Sequence, residues 1–185
     1  MSRNELVQAC IKNDKTASHQ LIEQHYSYLM GMCRRYAKSN QQAEIFFNQA
    51  FIAVFKNLPD YSDNDNLDEW IKKIFLNSLI LQLKSNRTEY YITTTTRVED
   101  KKANTDLFHQ TEDQDPNNLL IEDYINALQK LPASFRAVYN LHVIEELSLK
   151  ETSDILEISE ESVKNSIERA RNEFLKNVNL KMKGF

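Results

Sequence analysis

Between Ser148 and Lys176 the apolar residues of SLKETSDILEISEESVKNSIERARNEFLK fall where a short helix, a tight three-residue turn and a longer helix would bury them together. Ser148 and Glu151 have the S-x-x-E spacing of a capping box, which starts the first helix. Ile155 and Leu156 supply its apolar side, and Glu157-Ile158-Ser159 makes the turn. Ser159 is a good N-cap for the helix that follows, in which Val163, Ile167, Ala170 and Phe174 recur at helical spacing as one buried stripe. Glu161, Lys164, Asn165, Glu168, Arg169 and Asn172 fall on the opposite face. On spacing alone this is either an ordinary helical hairpin or the helix-turn-helix whose second helix enters the DNA major groove.

The rest of the chain offers little but helix. Two glycines, Gly31 and Gly184, and three prolines among 185 residues leave scant material for hairpins, so the expected class is all-α. The same scarcity excludes phosphate-cradling loops and dinucleotide-binding turns, which need several glycines close together. Cys10 and Cys33 are isolated, and His19, His25, His109 and His142 are scattered. No metal cluster, cofactor site or catalytic triad can be drawn from them, and two reduced, half-buried cysteines fit a reducing cytoplasm. The N-terminus, MSRNELVQAC, lacks an apolar signal region. Apolar runs such as Ala50–Phe55 are too short for membrane insertion.

Capping and periodicity place the N-terminal helices. Ser2 and Glu5 start a short helix through Ile11, and Asn13-Asp14 breaks it. A long helix over about 16–37 carries Leu21, Ile22, His25, Leu29, Met32 and Tyr36 on its apolar side. After the Ser39-Asn40 turn, a helix over about 41–57 hides Phe47, Ala50, Phe51, Val54 and Phe55, with Leu58 just beyond. Residues 59–66 form a polar loop, and Asn66 caps a helix over 67–84 with Glu69 at the reciprocal position. Residues 88–118 lack helical periodicity and read as a flexible acidic linker. A second domain starts near Leu119, with Ile121, Tyr124, Ile125 and Leu128 on one helical face.

From Ala127 onward, ALQKLPASFRAVYNLHVIEELSLKETSDILEISEESVKNSIERARNEFL closely resembles the C-terminal promoter-reading domain of sigma factors of the extracytoplasmic-function group. The resemblance rests on the Leu131-Pro132 helix start and the helix through Arg136, Val138 and Leu141. It extends to the Glu145–Ser148 entry, Val163-Lys164 and Arg169-Ala170-Arg171. Residues 19–58 look like the helix pair with which such factors grip RNA polymerase. Residues 67–87, LDEWIKKIFLNSLILQLKSNR, are similar to the helix that opens and reads the downstream promoter element, with Trp70 and Asn77 at motif positions.

The resemblance implies two small helical domains, 1–87 and 119–185, joined by the linker 88–118, and a protein that performs no covalent chemistry. It implies two partners, core RNA polymerase and promoter DNA, and the family commonly has a third, an anti-sigma factor. Upstream-element contacts would fall to Ser159, Ser162, Lys164, Asn165, Ser166, Arg169 and Arg171. Trp70, Lys72, Lys73, Asn77, Lys84 and Arg87 would take the downstream element as single strand. Glu44, Ile45, Asn48, Gln49 and Ala53 would meet polymerase.

The chain departs from the family pattern at informative places. Where relatives carry acids near the start of the polymerase-gripping helix it has Gln42 and Ile45, followed by Asn48 and Gln49 in place of glutamine and glutamate, so that of the acidic set only Glu44 remains. The basic run that usually ends the opening helix is thin here, Ser166 stands where arginine is common, and Glu157 replaces a turn glycine. Two alternatives therefore stay open: a degenerate sigma-like regulator or decoy that cannot open promoters, and a conventional helix-turn-helix regulator with an unrelated dimerising N-terminal domain.

A net charge of −4 is unexpected for a DNA binder until it is located. Residues 88–118 hold seven acids and three bases and so carry the whole imbalance, whereas residues 162–185 hold six bases and two acids. The basic surface lies on the second helix of the motif and beyond it.

Overall fold

In the computed structural model, residues 2–62, 66–85 and 116–182 are described; side-chain environments are defined for all of these except 116–120 and 179–182. Among them every regular element is helical. The chain divides into two compact units, Met1–Asn86 and Arg87–Phe185.

The first unit contains α1 (Arg3–Ile11), α2 (Lys15–Tyr36), α3 (Asn40–Asn57) and α4 (Leu67–Ser85), with a 3-10 turn at Leu58–Asp60. Each start is chemically marked. Ser2 and Glu5 complete a capping box, and Asp14 and Ser39 accept the backbone N–H groups of Ala17 and Gln42. Asn66 accepts those of Asp68 and Glu69. Asn13 turns the chain out of α1 at φ 61°, a region that asparagine tolerates better than most residues.

α3 packs against both α2 and α4. Phe75 on α4 is wholly buried, with its ring 5.7 Å from Phe47 and 5.5 Å from Phe51, both edge-on. The aromatic stripe of α3 is thus core. Its phase is broader than the periodicity suggests, because Ala43 and Phe46 are buried while Phe55 is only half-buried. A helix covered on two flanks buries more than one narrow stripe. Ile22 and His25, expected on the apolar side of α2, are half-buried at its edge. His25 Nε2 lies 2.9 Å from Asp68 Oδ1, tying α2 to the start of α4. Cys10 and Cys33 are both buried, not half-buried, and burial pushes the Cys33 thiol up to about 12.

The second unit contains α5 (Pro116–Gln129), α6 (Ala133–Tyr139), a π-helical turn (Asn140–Ile144), α7 (Leu149–Leu156) and α8 (Glu160–Met182). α5 begins at Pro116, three residues before the expected start near Leu119, since proline suits a first helical turn whose N–H groups lack partners in any case. The stretch expected as one helix through Arg136, Val138 and Leu141 instead widens at residue 140, where Glu145 N–H bonds the carbonyl of Asn140. Arg136 is buried, and its Nη1 donates to the carbonyls of Gln129 (2.8 Å) and Leu131 (3.2 Å) at the end of α5. The guanidinium therefore satisfies carbonyls that a helix end leaves open. Phe174 anchors the far half of α8, stacked on Tyr139 and edge-on to Tyr124.

Glu157, between α7 and α8, sits at φ 58°, ψ 42°. A non-glycine residue there costs about 1 kcal/mol. Glu157→Gly should therefore stabilise the second unit by up to about 1 kcal/mol. The check is the urea midpoint by circular dichroism; a lower midpoint would mean that the glutamate side chain contributes more than its backbone costs.

Candidate nucleic-acid interface

α7, the turn and α8 pack as one piece. The Ser148 hydroxyl accepts Glu151 N–H at 3.2 Å, and the Glu151 carboxylate accepts the Ser148 hydroxyl and N–H at 2.7 and 2.8 Å. Those two bonds hold the Glu151 carboxyl below its usual range. Thr152 and Leu156 bury one side of α7. Ser153 closes the turn, its hydroxyl donating to the Ile158 carbonyl and its own carbonyl accepting Ile158 N–H. α8 then buries Val163, Ile167, Ala170 and Phe174.

The remaining faces of α8 follow from 3.6 residues per turn. Glu161, Asn165 and Asn172 lie on the line farthest from the buried stripe, with Lys164 and Arg171 on one flank and Arg169 on the other. All six are exposed, whereas Ser166 is half-buried. Among the described residues, Lys164, Asn165, Arg169 and Arg171 make no ion pair or side-chain hydrogen bond. Arg171, beside the stripe, is thus exposed and makes no polar contact with the core among these residues. Ser159 and Ser162 are differently placed: Ser159 Oγ accepts Ser162 N–H at 3.1 Å and lies 2.8 Å from Ser162 Oγ, so both hydroxyls build the helix start. A helix with bases on two flanks, and Glu161, Asn165, Glu168 and Asn172 between them, presents cations to the phosphate walls of a groove and hydrogen-bonding side chains to its floor.

On α4, Trp70, Lys73, Asn77 and Lys84 gather on one face, within about 60° of one another around the helix axis. Trp70 is half-buried and edge-on to Tyr61 at 5.5 Å, which leaves part of the indole accessible. Lys72 lies on the opposite side of α4, on the line of the buried Leu79 and Leu83, and is half-buried, so it does not join that face. Arg87 lies outside the described residues, as does nearly all of the expected linker. Leu81, 67% exposed, shares the Trp70 face and escaped the sequence reading, although Asn77 stands one turn before it.

On α3, Glu44, Ile45, Asn48 and Gln49 are exposed and Ala53 is half-buried, all turned away from the aromatic core. Ile45 is 50% exposed and Ile52, two turns on, 54%. The second isoleucine was also missed, though its i+7 spacing from Ile45 puts it on the same line. Together they make an apolar strip with Asn48 and Gln49 beside it.

Among the described residues no cluster of histidine, cysteine and acidic side chains could hold a metal ion. No helix there is long and apolar enough to cross a membrane.

Residues 21–89 match the family model of sigma-70 region 2, and residues 121–174 match that of sigma-70 region 4. The chain is 26% identical over 170 residues to the ECF RNA polymerase sigma factor SigW of Bacillus subtilis, covering 86% of this chain and 88% of that protein. It is 24% identical over 147 residues to SigM of the same organism, covering 79% and 83%. Among solved structures, the sigma factor RpoE, crystallised with the anti-sigma factor NepR from Bartonella quintana, superposes with a TM-score of 0.51. It has 16% identity and covers 87% of this chain and 96% of that one. At that identity the superposition concerns the fold alone.

Proposed function

The chain belongs to the sigma-70 family as an extracytoplasmic-function sigma factor that directs transcription initiation, and we propose that it does so through three helical faces. α3 would dock on core RNA polymerase, the Trp70 face of α4 would take the separated downstream strand, and α8 would hold the upstream element in the major groove. One observation carries this assignment: both sigma-70 regions follow in order along one chain, at residues 21–89 and 121–174. That order is incompatible with a conventional helix-turn-helix regulator whose N-terminal domain is unrelated.

On this proposal residues 1–87 and 119–185 act as the two working domains, and the segment 88–118 joins them. The work is binding, with no covalent step, and takes place where polymerase does, in the cytoplasm. A partner of the anti-sigma class belongs to the proposal as well, because a protein covering α3 or α8 would silence the factor.

Run-off transcription with purified core polymerase tests the whole. Initiation at defined start sites is expected. Polymerase binding without initiation would identify a decoy, in keeping with the thin charge of α3 and α4.

The role of α8 predicts a contrast between two variants. Arg169→Ala should weaken holoenzyme binding on all promoters alike and shrink the salt slope by about one, as loss of one phosphate contact does. Asn165→Ala should relax preference at a single base position, costing about 1–3 kcal/mol of discrimination there. Filter binding or fluorescence anisotropy across a salt series measures both. Unchanged binding in the two variants would remove α8 from the interface.

A further inference from the structure

Glu161 stands at the second position of α8, exposed, on the outermost line that it shares with Asn165. Among the described residues it has neither an ion-pair partner nor a side-chain hydrogen bond. Its neighbour Glu160 points toward the flank of the buried stripe, and Glu168, also exposed on the outer side, lies two turns farther along, so Glu161 is the outward-facing carboxylate of the first turn. Phosphates repel a carboxylate, as do the acceptors that guanine (N7, O6) and thymine (O4) present in the major groove. Only the exocyclic amino groups of cytosine and adenine can donate to it. Adenine sets its N7 acceptor beside that amino group, where it would oppose the second carboxylate oxygen, whereas cytosine offers the amino donor alone.

We infer that Glu161 is a specificity-determining residue that selects a cytosine in the upstream promoter element by accepting its N4 amino hydrogen. The inference rests on the assignment of α8 as the DNA-reading helix and adds a residue chosen as much for what it rejects as for what it binds. Lys164 and Arg169 on the flanks would hold the phosphates close enough for a first-turn carboxylate to reach a base edge. The N-terminal end of a recognition helix is the part that meets base edges in this motif.

A rival structural role is available, since an acid in the first turn also favours a helix N-terminus. The experiment separates the two. Holoenzyme reconstituted from core polymerase and the full-length chain is used to select binding sites from a library randomised across the upstream element. Wild type, Glu161→Gln and Arg169→Ala are compared, and thermal unfolding is recorded for each. Wild type should select cytosine at one position by roughly 5- to 150-fold over the other bases. Glu161→Gln should lose that preference or shift it toward adenine, whose N6–N7 pair glutamine can match, while every other position keeps its choice. Arg169→Ala should keep the cytosine and lose affinity uniformly.

An unchanged selected sequence with Glu161→Gln, alongside weakened binding by Arg169→Ala, would overturn the inference while leaving α8 as the reader. A lowered unfolding temperature with the same selected sequence would assign Glu161 to the helix end and equally overturn it. If neither variant alters binding or sequence choice, the assignment of α8 itself fails, and the inference with it.

Discussion

Phe75→Ala is expected to unfold the first unit and to leave the second folded. Phe75 is wholly buried, and its ring meets Phe47 and Phe51 where α4 crosses α3. Removing a buried phenylalanine costs about 3–5 kcal/mol, from lost transfer energy and from the cavity left behind. The edge-on ring pairs add about 0.5–1.5 kcal/mol each. Against a whole-domain stability of about 5–15 kcal/mol, and less for a unit this small, such a loss is close to total. Trp70 is the only tryptophan, so its fluorescence reports on the first unit alone. The Trp70 transition in urea should move to low denaturant or vanish, while far-UV circular dichroism retains the cooperative loss belonging to α5–α8. Phe75→Leu should fall between the variant and wild type. An unmoved Trp70 transition would mean that these rings are not the core of the unit.

The second large effect concerns docking on polymerase. Ile45 and Ile52 are half-exposed on the outer line of α3, where the family pattern has carboxylates near Ile45. A rim ion pair contributes up to about 1 kcal/mol and weakens with salt. Burying an isoleucine side chain contributes about 1.5–3 kcal/mol and does not. Docking through this strip should therefore be less salt-sensitive than docking through a row of carboxylates. Ile45→Lys should weaken association with core polymerase by roughly 10- to 150-fold, more if the ammonium is left buried. Thermal unfolding should stay close to wild type, because the side chain is half-exposed on the side of α3 turned away from the aromatic core. Ile52→Lys should act in the same direction. Normal binding by both variants would remove this face of α3 from the interface. A variant that unfolds would mean that Ile45 contributes to the core in solution.

Both outcomes turn on helix phase, which was largely legible beforehand. The stripe Val163, Ile167, Ala170, Phe174 is buried as its spacing requires, and Ser2, Asn66, Ser148 and Ser159 start helices as expected, while Asp14 and Ser39, read as part of a break and of a turn, cap α2 and α3. Such features are local. A side chain three or four residues away, or a backbone N–H two or three ahead, is close whatever the rest of the chain does. For that reason the exposed bases and amides of α8 could be named without coordinates, and so could the exposed face of α3.

Where neighbours decide, the sequence was silent. Phe46 is buried and Phe55 half-exposed because α4 covers one flank of α3, and no spacing within α3 records which flank its partner takes. Nothing in the local pattern marks the charged Arg136 for burial, yet it is buried, since the carbonyls it satisfies belong to the end of α5. Leu81 and Ile52 read as ordinary apolar positions until packing leaves them uncovered. The amino-acid sequence by itself determined the helical class, most of the helix starts, the helix-turn-helix pattern and the family. Only the tertiary structure decided which charges are free, which apolar groups remain exposed and which polar groups are buried. The physical reason is range: periodicity and capping act within one turn of helix, whereas burial depends on which other helix lies across it.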